Sequence, residues 1–390
     1  MNSRRTFLTG MTAGATALAA GVSCTSKPKT GDDNVLGASS GETIVLGRTG
    51  LRVSRIGFGA AHFTKDKEKS DAVQLVRTIL DSGINLIDTA YNYGRDNASW
   101  RYLAEAIKDV SRDEYILSNK HEIEGDWKGK PVEEQVDESL KIIGVDHFDI
   151  FHVHGIRSYD RCVAEGFIED FVRMRDKGKI RFLGVTSHIH PEMIRILKHY
   201  PEVDVIMGGM NIMREHYYFD RDARLLNDYA HRHNLGILSM KPFLMGAMTQ
   251  NQPAALKYAM TQPMSVPIPG MTETGHVTMN VRAAREFSAL SPDDQQEWRK
   301  PETLLDGPAC TGCGYCINGD SDPVDVPQLV KAAQYGERFG LKQWLSKDRS
   351  NGKLKDDLSK ITPEMAKRYA HKCPVELPVE ELLNKSGGYV

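Results

Sequence analysis

Four residues of types suited to proton transfer stand at or just past the ends of three successive apolar, β-branched runs. Asp88 and Tyr93 follow INLIDT, Lys120 closes YILSNK and His154 closes FDIFHVH. A tyrosine, with an ordinary pKa of about 10, is a weak acid near neutrality unless a nearby ammonium favours its ionised form. Lys120 supplies an ammonium, Asp88 a carboxylate to hold it, and His154 a hydrogen-bond donor for an oxygen on which negative charge develops. That assembly suits protonation of a carbonyl during hydride transfer. Each residue taken singly also has a structural role: Asp88 as a cap, Tyr93 as a loop anchor, Lys120 as a solvated strand end, His154 as a satisfied core histidine. His152 points the same way along a strand and competes for the fourth place.

From residue 43 the chain alternates such runs with amphipathic stretches, the pattern of repeated βα units around a parallel sheet. Eight runs are legible: Arg55 to Gly59, Ile84 to Thr89, Tyr115 to Lys120, Phe148 to His154, Ile180 to Ser187, Val203 to Met210, Leu235 to Pro242 and Ser265 to Pro269. Helices are expected from Asp71, with Val73, Val76 and Leu80 on the buried face and Gly83 as the stop, and at Asp137 to Ile143, Asp170 to Lys177 and Asp222 to His231. Eight βα units over roughly 250 residues predict a (β/α)8 TIM barrel, with its active site at the strand C-termini. The segment Thr43 to Val53, with its Arg48-Thr49-Gly50 turn, is expected to form a hairpin closing the opposite end. A doubly wound sheet is disfavoured, because no Gly-x-Gly-x-x-Gly follows any run.

The strings LGRTGLRVSRIGFG, GINLIDTAYNYG, ILSNK, FDIFHVH and GVTS resemble the aldo-keto reductases over residues 43 to about 285. The resemblance implies Tyr93 as general acid, Lys120 and Asp88 as the pair that tunes it, and His154 as the residue orienting the carbonyl. The family's spacing from an aspartate, here Asp149, selects His154 over His152. It also implies a nicotinamide cofactor, NADP or NAD, with Ser187, His188, Asn211, Lys241 and Asn280 as candidate contacts. The pattern departs from the family where His188 and Met207 stand for Asn and Gln. It departs again at Gly270 and His276, where relatives selecting NADP carry Lys and Arg. Loss of two charge-assisted phosphate contacts weakens a preference for NADP.

Four of the 6 cysteines lie in the last quarter of the chain, which points to a local site rather than a disulfide framework. Cys310, Cys313 and Cys316, followed remotely by Cys373-Pro374, resemble the bacterial ferredoxin ligand pattern and imply one [4Fe–4S] cluster. A structural zinc site and unligated thiols are the other readings. Asp322 to Pro327 and Pro374 to Pro378 resemble two halves of a small, mostly helical ferredoxin-like region, with helices at Gln328 to Tyr335 and Glu380 to Asn384. Cys162 reads as a buried helix residue.

Ser3 to Leu8 resembles a twin-arginine export signal, the route taken by proteins exported already folded. Cleavage after Ala17-Leu18-Ala19 and lipid attachment at Cys24 both stay open. The expected organisation is a signal over 1–24, a flexible linker over 25–42, the barrel over 43–298 and the cluster region over 299–390. The leader makes the location periplasmic or membrane-anchored.

Fifty Lys and Arg against 52 Asp and Glu, with no long basic cluster, remove the usual electrostatic basis for nucleic-acid binding. The leading reading is an exported oxidoreductase acting on a small carbonyl or alcohol, with a redox protein as a further open partner. Its alternatives are an enzyme driven through the cluster without a diffusible dinucleotide, and an electron-transfer or binding protein with the barrel as scaffold.

Overall fold

The structure is a computed structural model that describes residues 43–64, 67–121, 130–209, 220–243, 248, 252–262, 264–287, 310, 314–317, 322–338, 351–374 and 376–388. The expected signal, the linker, Asn211 and Cys313 lie outside the described residues.

Strands β1 (Thr43–Val45) and β2 (Arg52–Ser54) form an antiparallel hairpin, with Gly50 at φ +69° in the turn. Eight further strands follow: β3 (Phe58–Gly59), β4 (Leu86–Asp88), β5 (Ile116–His121), β6 (Phe148–Val153), β7 (Ile180–Thr186), β8 (Val205–Gly208), β9 (Gly236–Ser239) and β10 (Ser265–Pro267). They form one all-parallel sheet in sequence order. The sheet curls until its outer strands meet: Gly57 N–H donates to the Pro267 carbonyl at 2.9 Å and Gly59 N–H to that of Pro269 at 3.0 Å. This is the arrangement of a (β/α)8 barrel, and each of the eight predicted runs coincides with one strand, β5 running one residue past its run to His121.

Helices α1 (Lys69–Asp81), α2 (Ala98–Ile107), α3 (Val132–Ile143), α4 (Tyr159–Ala164), α5 (Phe167–Asp176), α6 (His190–His199), α7 (Asp220–Arg232), α8 (Gln252–Thr261) and α9 (Thr274–Arg285) connect the strands. The predicted helices correspond to α1, α3, α5 and α7, with Lys177 capping α5 rather than lying in it. In α1 the fully buried face is Ala72, Leu75, Val76 and Ile79, while Val73 and Leu80 flank it. Of the three residues expected on that face, Val76 lies on it and Val73 and Leu80 lie at its edges. Gly83, at φ +85°, stops the helix as expected. Cys162 is buried in α4, and burial pushes its thiol up to about 12.

Alternation along the strands sorts side chains into two cores. Odd-facing residues such as Phe151, Val153 and Val185 pack under the helices. Leu86, Ile116, Ile150, Val205, Leu238 and Val266 point inward and fill the lower barrel together with Leu46 and Val53 of the hairpin. Arg48 ties that hairpin to the start of β8, donating from Nε to Asp204 Oδ1 at 3.0 Å and from its guanidinium to the Val203 carbonyl at 2.6 Å. The hairpin therefore closes the end away from the strand C-termini.

The C-terminal region contributes α10 (Val326–Arg338), α11 (Asn351–Ser359), α12 (Pro363–His371) and α13 (Val379–Ser386). Its two predicted helices fall within α10 and α13; α11 and α12 went unread. Thr362 accepts from Met365 N–H at 3.2 Å ahead of Pro363, a helix start that sequence signals do carry. These helices enclose a separate apolar core that includes Val326, Leu329, Tyr369 and Leu383. Among the described residues, no helix is long and apolar enough to cross a membrane.

Candidate active site

The inward-facing rows change character as they rise. On β4 Leu86 gives way to Asp88, on β5 Ile116 to Ser118 and Lys120, and on β6 Ile150 to His152 and then His154 just past the strand end. Parallel pairing sets Asp88 beside Ser118, and Lys120 beside His152. Period-two alternation on three neighbouring strands thus stacks polar groups above the apolar layer at the strand C-termini.

Lys120 Nζ donates to Asp88 Oδ2 at 2.5 Å and to the Thr89 carbonyl at 2.8 Å. The two side chains are 1% and 3% exposed, so this ion pair is removed from solvent. Burial works against the Lys120 charge, but Asp88 first and Tyr93 next outweigh it and raise its pKa above the ordinary lysine value. The ammonium lies 5.0 Å from the centroid of the Tyr93 ring. His154 meets that ring edge-on, with centroids 6.4 Å apart. The four residues singled out in the sequence are therefore brought together, with Tyr93 and His154 half-buried and open to a reactant.

Two residues support the pair: Ser118, which the sequence reading did not name, and His152, which it set aside for His154. Ser118 Oγ donates to Asp88 Oδ1 at 2.8 Å, and His152 Nε2 lies 3.2 Å from the same hydroxyl. Ser118 stands two residues before Lys120, so alternation alone could have placed it on the inner face. His152 is fully buried; burial, then the charges of Lys120 and His154, hold it well below the ordinary histidine range. A neutral His152 supports Ser118 from below, while His154 stands above it at the reacting end.

The candidate cofactor contacts spread over the same end of the barrel. Ser187 is buried and its hydroxyl donates to the Ile156 carbonyl at 2.6 Å, linking the loops after β6 and β7. His188 Nε2 and Lys241 Nζ are 3.0 Å apart, with Lys241 held at φ +57°. Asn280, in α9, is fully buried, and its amide oxygen and nitrogen have no hydrogen-bond partner in the protein. A buried amide left unsatisfied is costly and fits a ligand that supplies its partners. Nearby, Gly270 carries no charge, and His276 is turned onto Thr272, with Nε2 3.6 Å from the Glu273 carboxylate. This donor set fits a nicotinamide dinucleotide but lacks a fixed cation pair for a 2′-phosphate.

The family model of the aldo/keto reductases matches residues 55–254, the span from β3 into α8. The chain belongs to the aldo/keto reductase family. It is an oxidoreductase of that kind, and the buried Asp88–Lys120 pair with Tyr93 and His154 lies at the C-terminal ends of its strands. L-galactose dehydrogenase of Arabidopsis thaliana is 29% identical over 310 residues, covering 68% of this chain and 94% of that protein. The NADH-specific methylglyoxal reductase of Escherichia coli is 27% identical over 191 residues, covering 44% of this chain and 57% of its own. Among solved structures, the holo form of aldo-keto reductase AKR11C1 from Bacillus halodurans superposes with a TM-score of 0.57 at 21% identity, over 66% of this chain and 95% of its own. That likeness is one of fold.

The aldo/keto reductase match ends before the cysteine-rich region. Cys310, Cys316 and Cys373 each pack against the C-terminal core, and Cys310 N–H donates to Gln334 Oε1 at 2.6 Å. Among the described residues no group of three His, Cys, Asp or Glu side chains is gathered as for a single metal ion. The region docks on the reacting end: Arg157, in the loop after His154, donates to Asp325 Oδ2 at 3.0 Å. Gly314, in the cysteine segment, lies against Ile189, two residues beyond Ser187.

Proposed function

We propose that this chain interconverts a small carbonyl compound and its alcohol by hydride transfer, with Tyr93 as general acid. The observation that carries the reading is the buried Asp88–Lys120 pair set beneath the Tyr93 ring, 5.0 Å from Nζ to the centroid, with His154 edge-on to the same ring. When bound, NAD or NADP supplies the hydride, and Ser187, His188, Lys241 and Asn280 are the residues of the described chain that would hold it.

Tyr93 gives its hydroxyl proton to the carbonyl oxygen as negative charge develops there. Lys120 stabilises the charge left on the phenol oxygen, in a site where burial strengthens that interaction. Asp88 holds Lys120 in place, and Ser118 and His152 fix Asp88. His154 orients the carbonyl through a ring N–H. Being half-buried, Tyr93 is reprotonated from solvent.

The finer readings belong to the same proposal. Cys310, Cys313, Cys316 and Cys373 ligate one [4Fe–4S] cluster, supported by the packing of the three described cysteines on one core. The leader exports the folded protein, which suits a cofactor inserted before export, and leaves it periplasmic or held by lipid at Cys24. The cluster serves as a one-electron relay or as a structural staple for the loops carrying His154 and Ser187.

The test is anaerobic purification of the processed protein, with iron, acid-labile sulfide and heat-released dinucleotide counted, followed by carbonyl reduction with wild type and Tyr93→Phe. Unchanged turnover in that variant sinks the acid assignment. Iron without dinucleotide, and no reduction with NADH or NADPH, replaces the nicotinamide reading with chemistry driven through the cluster.

A further inference from the structure

The turn between β6 and α4 begins with His154, and much of it is fastened to the barrel itself. His154 N–H donates to the His121 carbonyl at 3.1 Å, Gly155 N–H to Thr186 Oγ1 at 2.6 Å, and Ile156 N–H to the Thr186 carbonyl at 2.9 Å. Ser158 starts α4 by accepting from Arg161 N–H at 3.2 Å. Arg157, between these fastenings, reaches across to the C-terminal region. Its Nη2 donates to Asp325 Oδ2 at 3.0 Å, 168 positions further along the chain.

Asp325 is itself held by two helices. Its Oδ1 accepts from Gln328 N–H at 3.3 Å, as an N-cap does, and its carbonyl accepts from Leu329 N–H at 3.2 Å, so it starts α10. Its own N–H donates at 3.0 Å to Oδ2 of Asp357, a buried residue of α11. The N-terminus of α10 favours the negative charge. One carboxylate therefore starts a helix with one oxygen and holds the β6–α4 turn with the other. The side chain of Asp325 is 12% exposed and that of Arg157 42%, so the aspartate is the fixed partner and the arginine the one being placed. A pair with so open a guanidinium adds little to global stability, and its consequence lies in where the turn sits.

We propose that Asp325 is a positioning residue for the reaction: through Arg157 it fixes the β6–α4 turn, and with it the direction in which His154 presents its ring to the carbonyl. The inference rests on the role given to His154 above and is independent of any cluster. It makes the C-terminal region a working part of the reacting end, because a carboxylate from that region sets the geometry of a group carried by the barrel. A small displacement of a group that orients the reactant lowers the rate without unfolding anything.

The experiment compares full-length wild type with Asp325→Asn, Arg157→Met, Arg157→Lys and the double variant Asp325→Asn/Arg157→Met. Asparagine caps a helix as well as aspartate does, so Asp325→Asn removes the charge and leaves α10 its start. Amide hydrogen exchange without cofactor reads the turn, and steady-state reduction of para-nitrobenzaldehyde with NADH reads His154. Both charge-removing single variants should keep the wild-type melting temperature and exchange faster over residues 154–158. Their kcat/KM for the aldehyde should fall about three- to tenfold while the KM for NADH stays within about twofold. The double variant should lose no more than either single one, and Arg157→Lys should stay near wild type. Wild-type kcat/KM in the single variants, with or without faster exchange, overturns the inference and leaves the reading of function intact, as do losses that multiply in the double variant. If Asp325→Asn fails to fold, Arg157→Met against Arg157→Lys decides on the same readouts. Wild-type protein that does not reduce the aldehyde with NADH or NADPH overturns the reading of function and this inference with it.

Discussion

Gly184 and His152 share one space inside the barrel: a Cβ built on Gly184 would stand 2.1 Å from His152 Nδ1. The imidazole lies across β7 where any other residue would put its side chain, and from there it reaches Ser118. Glycine is required here by close approach.

Gly184→Ala should therefore displace His152 or the β7 backbone, and cost about 1–3 kcal/mol by overpacking. Thermal unfolding of the variant measures it. Adding His152→Ala should recover most of the loss; equal melting of the single and double variants would mean that the two side chains do not compete.

Removing the Tyr93 hydroxyl should separate binding from chemistry. Tyr93→Phe keeps the ring against Lys120 and His154, so dinucleotide affinity, followed by fluorescence titration, should stay within about twofold. Turnover should fall about 10²–10⁴-fold, the usual worth of a positioned acid.

Lys120→Met leaves Asp88 buried without its partner and should cost about 3–5 kcal/mol, besides abolishing turnover. The pH dependence follows from the raised Lys120 pKa. A group whose pKa is higher folded than unfolded contributes fully below its unfolded value, about 10.4, and loses that contribution as pH climbs through the folded one. The stability gap between wild type and Lys120→Met, read from denaturant unfolding, should stay level from neutrality to about pH 10 and narrow only above it. A gap that closes between pH 6 and 8 would point to another group.

The cofactor end should not favour the 2′-phosphate. With Gly270 uncharged and Glu273 beside His276, NADH should bind at least as tightly as NADPH. His276→Arg should shift the ratio toward NADPH, because it offers the phosphate a fixed fork of donors. Competition binding of the two dinucleotides checks both statements.

Cys316→Ser should disturb more than the cysteine region. Gly314 lies on Ile189 and Asp325 holds Arg157, so loosening the C-terminal core should weaken the seating of the loops that carry Ser187 and His154. A lower melting temperature together with a raised KM is expected. Unchanged melting and unchanged turnover would leave the region a passive appendage.

Much of the barrel was legible in the sequence because its signals are local. Eight apolar runs separated by amphipathic stretches can bury their surfaces in few other ways, and acidic, phenolic, ammonium and imidazole groups at three consecutive strand ends converge once those strands lie parallel. The turn at Arg48 to Gly50 and the stop at Gly83 were equally local, set by backbone conformations that glycine adopts without strain. What the tertiary structure decided depends on residues far apart in the chain. Strand register placed His152 against Gly184 and Ser118 against Asp88, and so set His152 on the Ser118 hydroxyl while His154, only two residues away, meets the Tyr93 ring. Packing turned the buried face of α1 toward Ala72 and Ile79 and left the Asn280 amide without a protein partner. Burial and charge partnering arise between segments, so no spacing along the chain could have announced them.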